Sequence, residues 1–427
     1  MAITNARAAR ADMVALKDIK VTWTDYFYVT LMLITSWSIF YEARFGARIT
    51  FPILFILSFG LFLKKGCKIR SDWAFKYIVV LSIAIVLNKF VFNPNTTDNY
   101  WIAMFVGAWA SYFFCSAFNF QVFRKAYIDV IAVISLLSMI VFFIDQSPLR
   151  GRFESILLTD GGVERMSFYI FHVGWGYDGS FADRMAGLWH EPGACQIFLN
   201  LGLLFSIPLV RNKLVTKFDM LKIAIIVCGV LCTQSTGGYL ALLVIAYFMA
   251  SSILRKVPVL IQMIIGALLV LAIINTSVVQ DKMAQDTGMK ANTSKAVRIR
   301  DNIACLTMAI DRPLTGYGFN SKQFMSESRA LDNATSSNGI LRVAACIGIW
   351  WIFIYIPVIY FGLKKMKLGI PIWASMAVVL MLESNEAYIQ WPISYMFILS
   401  YGSYNGALAL KKNIKQQRQI NLRTVYQ

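Results

Sequence analysis

Ten residues, Arg184-Met-Ala-Gly-Leu-Trp-His-Glu-Pro-Gly193, hold a cation, a titratable imidazole and a carboxylate together. The chain has two histidines, His172 and His190, and both fall in or beside this stretch. Arg184 suits an anionic ligand, because a guanidinium grips phosphate or carboxylate bidentately and keeps its charge when partly desolvated. Glu191, partly desolvated at a membrane mouth, or His190 suits a general base. An interfacial loop with solvated charges and a snorkelling arginine would carry the same residue types. A second group is Ser294-Lys-Ala-Val-Arg298-Ile-Arg300 followed by Pro313-Leu-Thr-Gly316-Tyr317-Gly318, where a Gly-x-Gly turn can bring backbone amides near a phosphate. A third is the polar turn Thr233-Gln-Ser-Thr-Gly-Gly238, in which Ser235 and Thr236 can hydrogen-bond a sugar or cap the next helix. Glu383-Ser-Asn-Glu386 adds carboxylates at the end of an apolar run, a depth where ionisable groups are functional by default. Asn338 opens another such run.

The elements that must position these groups are membrane helices. Hydrophobic residues make up 58% of the 427 and charged residues 15%. A soluble domain carries about a quarter charged residues. Apolar runs long enough to span a bilayer recur along the chain, at roughly 24–42, 49–63, 74–92, 100–119, 126–145, 187–210, 220–234, 237–254, 257–278, 339–362, 370–386 and 392–410. Basic clusters follow every second run: Lys64, Lys65, Lys68 and Arg70; Arg124 and Lys125; Arg211, Lys213 and Lys217; Arg255 and Lys256; Lys364, Lys365 and Lys367; Lys411, Lys412 and Lys415. The expectation is an all-α polytopic membrane protein of about twelve spans forming one integral domain. Residues 1–22 and 411–427 are expected as inner tails, with no cleavable signal peptide.

Two outer segments exceed connector length, 146–186 and 279–338. The first carries Phe168-Tyr-Ile-Phe171 and Trp175, suited to a membrane interface. The second is expected to hold a helix from about Ser294 to Asp311, started by Asn292, Thr293 or Ser294 and stopped by Pro313 and Gly316. Its residues Ile299, Ile303, Leu306 and Ile310 form one apolar stripe with Arg298 and Arg300 on its flanks, a helix made to lie on the membrane or on the span bundle.

Lysine obeys this topology and arginine does not: eleven arginines fall outside and eight inside. Orientation needs only charge, so the outer arginines point to an anionic ligand at the outer surface. The net charge of +18 is spread over short loops, which excludes a nucleic-acid partner. The seven cysteines make no disulfide framework: Cys115, Cys195, Cys228, Cys232 and Cys346 lie in or beside spans, Cys67 on an inner loop and Cys305 alone outside. No metal site is expected, since Cys228 and Cys232 have no histidine or carboxylate nearby. No nucleotide-binding loop is present. A transferase acting outside must therefore use a substrate already activated and already in the membrane, which lipid diphosphates are.

Together the Arg-x-x-Gly…Glu-Pro-Gly entry, the Ser-Thr-Gly-Gly turn and the arginine helix ending in Pro-x-x-Gly-x-Gly resemble the O-antigen polymerase and ligase superfamily. The resemblance covers residues 180–345 by motif and the whole chain by topology. It implies a GT-C-type membrane glycosyltransferase in the bacterial inner membrane, both termini cytoplasmic. Such enzymes use undecaprenyl-diphosphate-linked oligosaccharide at the periplasmic face, with no cofactor. Arg184 matches the arginine of the first family motif, Glu191 the acidic residue of polymerase-like members and Arg298 the arginine before the Pro-x-x-Gly-x-Gly turn, with Arg300 a second claimant. Ligases carry His-Asn at the start of the following span; here Ser336-Ser337-Asn338 stands there, which favours a Wzy-type polymerase. Arg150 to Gly161 and Arg165 to Gly176 match the Arg-x10-Gly spacing described for polymerases.

The expected reaction is block transfer of repeat units, with Arg298 and Arg184 or Arg300 on the donor diphosphate and Glu191 or His190 as base. Ser235, Thr236, Tyr317, Asn338 and Glu383 are expected to bind substrate, and Trp175 and Trp189 to stack on sugars. Membrane lipid and a chain-length regulator are the expected partners. An O-antigen ligase, a lipid-linked-oligosaccharide flippase and an assembly partner remain as alternatives.

Overall fold

A computed structural model describes residues 18–36, 46–67, 73–94, 100–149, 156–160, 163–168, 171–173, 184–189, 191–254, 294–319, 322–331 and 338–385, with isolated residues 38, 69, 258, 261, 271, 275 and 280. Residues 1–17 of the first tail, all of the second tail, His190, Trp175, Ser336, Ser337, Glu386, most of the expected span at 257–278 and all of that at 392–410 lie outside the described residues.

The apolar runs fold as helices in chain order. These are α1 (Trp23–Ile34), α2 (Gly46–Lys64), α3 (Trp73–Leu87, continued by a π turn Asn88–Phe92), α4 (Tyr100–Ala117), α5 (Phe120–Asp145), α6 (Pro192–Arg211), α7 (Lys217–Cys232) and α8 (Thr236–Leu254). Then come α9 (Ser294–Asp311), α10 (Lys322–Ala330), α11 (Gly339–Ile347), α12 (Trp350–Met366) and α13 (Ile372–Asn385). Starts are set by side-chain caps that satisfy otherwise orphaned amides. Thr22 with Asp25 and Thr216 with Asp219 make complete capping boxes for α1 and α7. Asn119 accepts from the Gln121 amide at the start of α5.

Helix α6 is the axis of the molecule. It packs against α5, α7, α8 and α13, and nearly all its residues are buried, Phe198 and Phe205 among them. A polar tie joins three helices at their expected inner ends. Lys222 of α7 meets Asp129 of α5 at 2.6 Å, and Tyr26 of α1 donates to the same carboxylate at 2.7 Å. Helices Trp73–Phe92, Phe120–Asp145 and Pro192–Arg211 are long and apolar enough to cross a membrane by length and composition. Phe143, Phe218, Phe353 and Trp373 are exposed on the outside of the bundle. Water would disfavour that much apolar surface and lipid would not, so the helices fit a membrane-embedded protein.

Two features depart from the sequence expectation. The first outer segment contains a four-stranded antiparallel sheet, β1 (Ile156–Asp160), β2 (Val163–Phe168), β3 (Phe171–Val173) and β4 (Met185–Gly187), paired in chain order. Asp160 pairs with Val163 across two intervening glycines in sequence, the spacing of a tight hairpin. Strand β4 takes Gly187, the first residue expected of the sixth span, and α6 opens only at Pro192. The expected span 339–362 is also broken, into α11 and α12. Gly348 stands between them at φ +111°, and its amide returns to the Ala344 carbonyl at 2.8 Å. The carbonyls that the break frees are taken by another segment: Tyr317 N–H donates to Ala345 O and Gly318 N–H to Cys346 O, each at 2.9 Å. Asn88, at the start of the π turn, donates to Thr315 O at 2.5 Å and Cys346 O at 3.0 Å. The Ala344, Ala345 and Cys346 carbonyls at the break are therefore all hydrogen-bonded, as irregular backbone at membrane depth requires.

Candidate functional site

The entry loop is anchored on both sides. Strand β4 is buried against α5 and α6. A side chain at Gly187 would come within 2.7 Å of Ser138 Oγ, which accounts for the glycine of Arg-x-x-Gly. Half-buried Arg184 donates from Nε to Thr233 O at 3.2 Å, tying the loop to the turn before α8. Glu191 occupies the N-cap position of α6 in an extended conformation, yet its side chain makes no bond to that helix. The carboxylate is thus not used as a cap. Next to it, Trp189 is wholly buried and stacks on Phe198 with ring centroids 4.3 Å apart. The expectation that Trp189 stacks on sugars is corrected: its π face is used inside the core. His190 lies outside the described residues.

The Ser-Thr-Gly-Gly turn opens α8. Ser235 is buried, and its Oγ accepts from the Gly238 amide at 3.5 Å, so it serves helix capping. Thr236 is half-buried beside it. Below the turn, Asn200 of α6 donates to Gly238 O at 3.2 Å and to Gln196 Oε1 at 3.0 Å. These two amides sit one turn apart on the face of α6 that meets α8, and sequence reading passed over them. Their signal was two carboxamides at i, i+4 within an apolar run.

Helix α9 has the bounds that its sequence suggests, Ser294–Asp311. Its apolar stripe is turned outward: Ile299, Ile303, Leu306 and Ile310 are 42–60% exposed. The opposite face, with Asp301, Ala304, Cys305 and Met308, is buried and packs on α11. Of the two surfaces expected for the stripe, the span bundle is excluded among the described residues, and a membrane surface fits. Arg298 and Arg300 are half-buried at the first turns of α9, and Arg300 Nε meets no hydrogen-bonding partner among the described residues.

The rest of this motif holds α9 in place. Asn338 Oδ1 caps α11 through the Leu341 amide at 3.0 Å, while its Nδ2 donates to Asn302 of α9 at 2.9 Å. Tyr317 is 5% exposed, its hydroxyl donates to Asp311 and Arg312 lies 4.4 Å from its ring centre. Burial first, then the Asp311 acceptor, pushes the Tyr317 phenol up to about 12. Gly316, at φ +58°, passes so close to α11 that an added Cβ would lie 2.3 Å from the Cys346 carbonyl. Tyr317, Asn338 and the Gly-x-Gly turn are thus held by partners within the fold. Their rings, amides and N–H groups are engaged within the fold. Glu383, on α13, is fully buried and accepts from Tyr355 of α12 at 2.6 Å.

Arg184, Glu191, Ser235 and Thr236 thus gather where α6 and α8 begin, and Arg298, Arg300 and Asn338 where α9 meets α11. Helix α13, which bears Glu383, touches α6, α8 and α11 and so links the two groups. Residues 221–356 match a family model described as O-antigen ligase. This chain resembles the O-antigen polymerase and ligase superfamily. The matched stretch runs from α7 to α12 and includes the arginine helix, the Gly-x-Gly turn and the broken span; Arg184 and Glu191 precede it. No curated protein matches the chain. The match supports a membrane glycosyltransferase-like role in surface polysaccharide synthesis, of ligase or polymerase type.

Proposed function

We propose that the protein polymerises undecaprenyl-diphosphate-linked oligosaccharide repeats at the periplasmic face of the bacterial inner membrane, as a twelve-span GT-C-type enzyme. The observation that carries this reading is the pair of serines before Asn338. A ligase of this superfamily has histidine there, and this chain keeps the asparagine, which ties α11 to α9, without it.

In the proposed reaction an acceptor sugar hydroxyl attacks the anomeric carbon of the donor chain. The C–O bond to the diphosphate breaks, and undecaprenyl diphosphate leaves with the electron pair. Glu191 or His190 takes the hydroxyl proton. Arg298, with Arg184 or Arg300, stabilises the charge that builds on the leaving group, the usual source of the largest rate term. A carboxylate that does not cap its own helix, at the start of α6, suits the base. No metal or cofactor is required. A chain-length regulator and membrane lipid are the proposed partners.

The test is reconstitution of the full chain in lipid vesicles with lipid-linked repeats as the only substrate. A ladder of multiples of the repeat is expected; no growth would overturn the assignment. The ligase reading is favoured by the description of the matching family. It predicts no ladder, and transfer to a lipid A core acceptor instead.

A further inference from the structure

Asn88 follows the last residue of α3 and is 3% exposed. A carboxamide buried at the end of an apolar helix is costly unless it is hydrogen-bonded. Its NH2 group has two hydrogens, and it reaches carbonyls of two different segments. One is Thr315 O, in the turn after α9, at 2.5 Å, and the other is Cys346 O, near the end of α11, at 3.0 Å. The chain winds here as a π turn, with Asn93 N–H returning to Asn88 O at 2.7 Å. Such turns are rare and frequently stand at functional sites. This one cradles the Gly-x-Gly turn. At Gly318, φ +81°, an added Cβ would lie 3.0 Å from Asn93 Cβ and 3.4 Å from Asn88 Oδ1.

What the π turn holds is the base of the arginine helix. Helix α9 rests on α11 through its buried face, and Asn302 is bonded to Asn338 at 2.9 Å, so the two helices form a pair. The break at Gly348 separates α11 from α12, so the pair is not the continuation of a straight span. Asn88 bonds the pair where both of its helices end. Arg298 lies thirteen residues before Asp311, about 20 Å away at 1.5 Å per residue. At that radius a tilt of about 3° moves the backbone of Arg298 by about 1 Å. A misplacement of that size can cost about 100-fold in rate.

We propose that Asn88 is a positioning residue for the transfer reaction. It fixes the base of the α9–α11 pair and so sets where Arg298 and Arg300 stand relative to the groups at the start of α6. It touches no substrate. This rests on the polymerase reading above and adds to it a residue from the first half of the chain, outside the stretch that matches the family model.

The experiment uses the full chain in lipid vesicles with lipid-linked repeats, comparing Asn88→Ala with Tyr26→Phe. The second variant is the stability control: it removes the bond to Asp129 in the inner tie, away from α9. Turnover is measured per folded molecule, with the folded amount taken from the melting curve. Asn88→Ala should lower turnover about tenfold or more and change KM less than about twofold, because the arginines remain on α9. Tyr26→Phe should keep wild-type turnover. Equal turnover per folded molecule in the two variants would make Asn88 a structural contact and overturn the proposal. If Asn88→Ala does not fold, Asn88→Leu, which fills the space with apolar atoms and offers no donor, is read in the same way. No ladder from the wild-type protein would sink the polymerase reading, and this role with it.

Discussion

The two arginine regions are built in opposite ways. At the start of α6 and α8, scaffolding comes from apolar contacts, the Trp189–Phe198 stack and the burial of β4. Among the described residues polar groups are left over there: Glu191 does not cap its helix, and Gln196 Nε2 has no hydrogen-bond partner. At α9 and α11 the polar and glycine residues are themselves the scaffold. Tyr317 binds Asp311, Asn338 binds Asn302, and the Gly-x-Gly amides close the broken span. The arginines of that motif, Arg298 and Arg300, lie half-buried at the first turns of α9. A sequence motif can thus mix chemistry with carpentry, and the hydrogen-bond inventory tells them apart.

The contrast can be broken most sharply at Arg298. Arg298→Ala should abolish polymer while leaving protein level unchanged, and Arg298→Lys should still impair it because the bidentate fork is lost. Normal chain length by gel in Arg298→Ala would end the assignment. Gly316→Ala should also remove polymer, but through the fold. Its Cβ would overlap the Cys346 carbonyl at a left-handed φ, so membrane protein level should fall with activity. Asn338→Ala removes a cap and the tie to Asn302 and should lower stability by about 1–2 kcal/mol, read from the detergent melting curve. Polymer of shortened length is expected, because α9 is loosened and its arginines remain.

Tyr317→Phe should have the smallest effect, about 1 kcal/mol for the bond to Asp311. Its clearer signature is alkaline. The folded phenol titrates at about 12, above its ordinary value of 10. The stabilisation it gives is complete below about pH 10 and is lost as pH rises toward 12. Tyr317→Phe should lack that loss, and parallel stability–pH curves for both proteins would contradict the assignment of the buried phenol.

Much of the helical frame was legible because apolar runs and stop signals are local. Pro313 and Gly316 ended α9 where the sequence places its end. The break at Gly348 was hidden, since 339–362 reads as continuous apolar sequence and the partners that close the break, Asn88 and Tyr317-Gly318, lie far off in the chain. The sheet did leave a mark, two glycines between residues 160 and 163, masked by reading the segment only as a long loop. Arg184 and Arg298 stood out by type. Gln196 and Asn200 did not, because in an apolar run two carboxamides look like packing until their partners are counted.

The central claim is tested most directly by the surface polysaccharide and lipid-linked pool of a strain lacking the protein. A single repeat on the acceptor, with no long chains, is the predicted result. Long polymer stranded on undecaprenyl diphosphate would contradict polymerisation and indicate ligation. Single repeats held on the inner leaflet would indicate a flippase and remove the catalytic assignments with it.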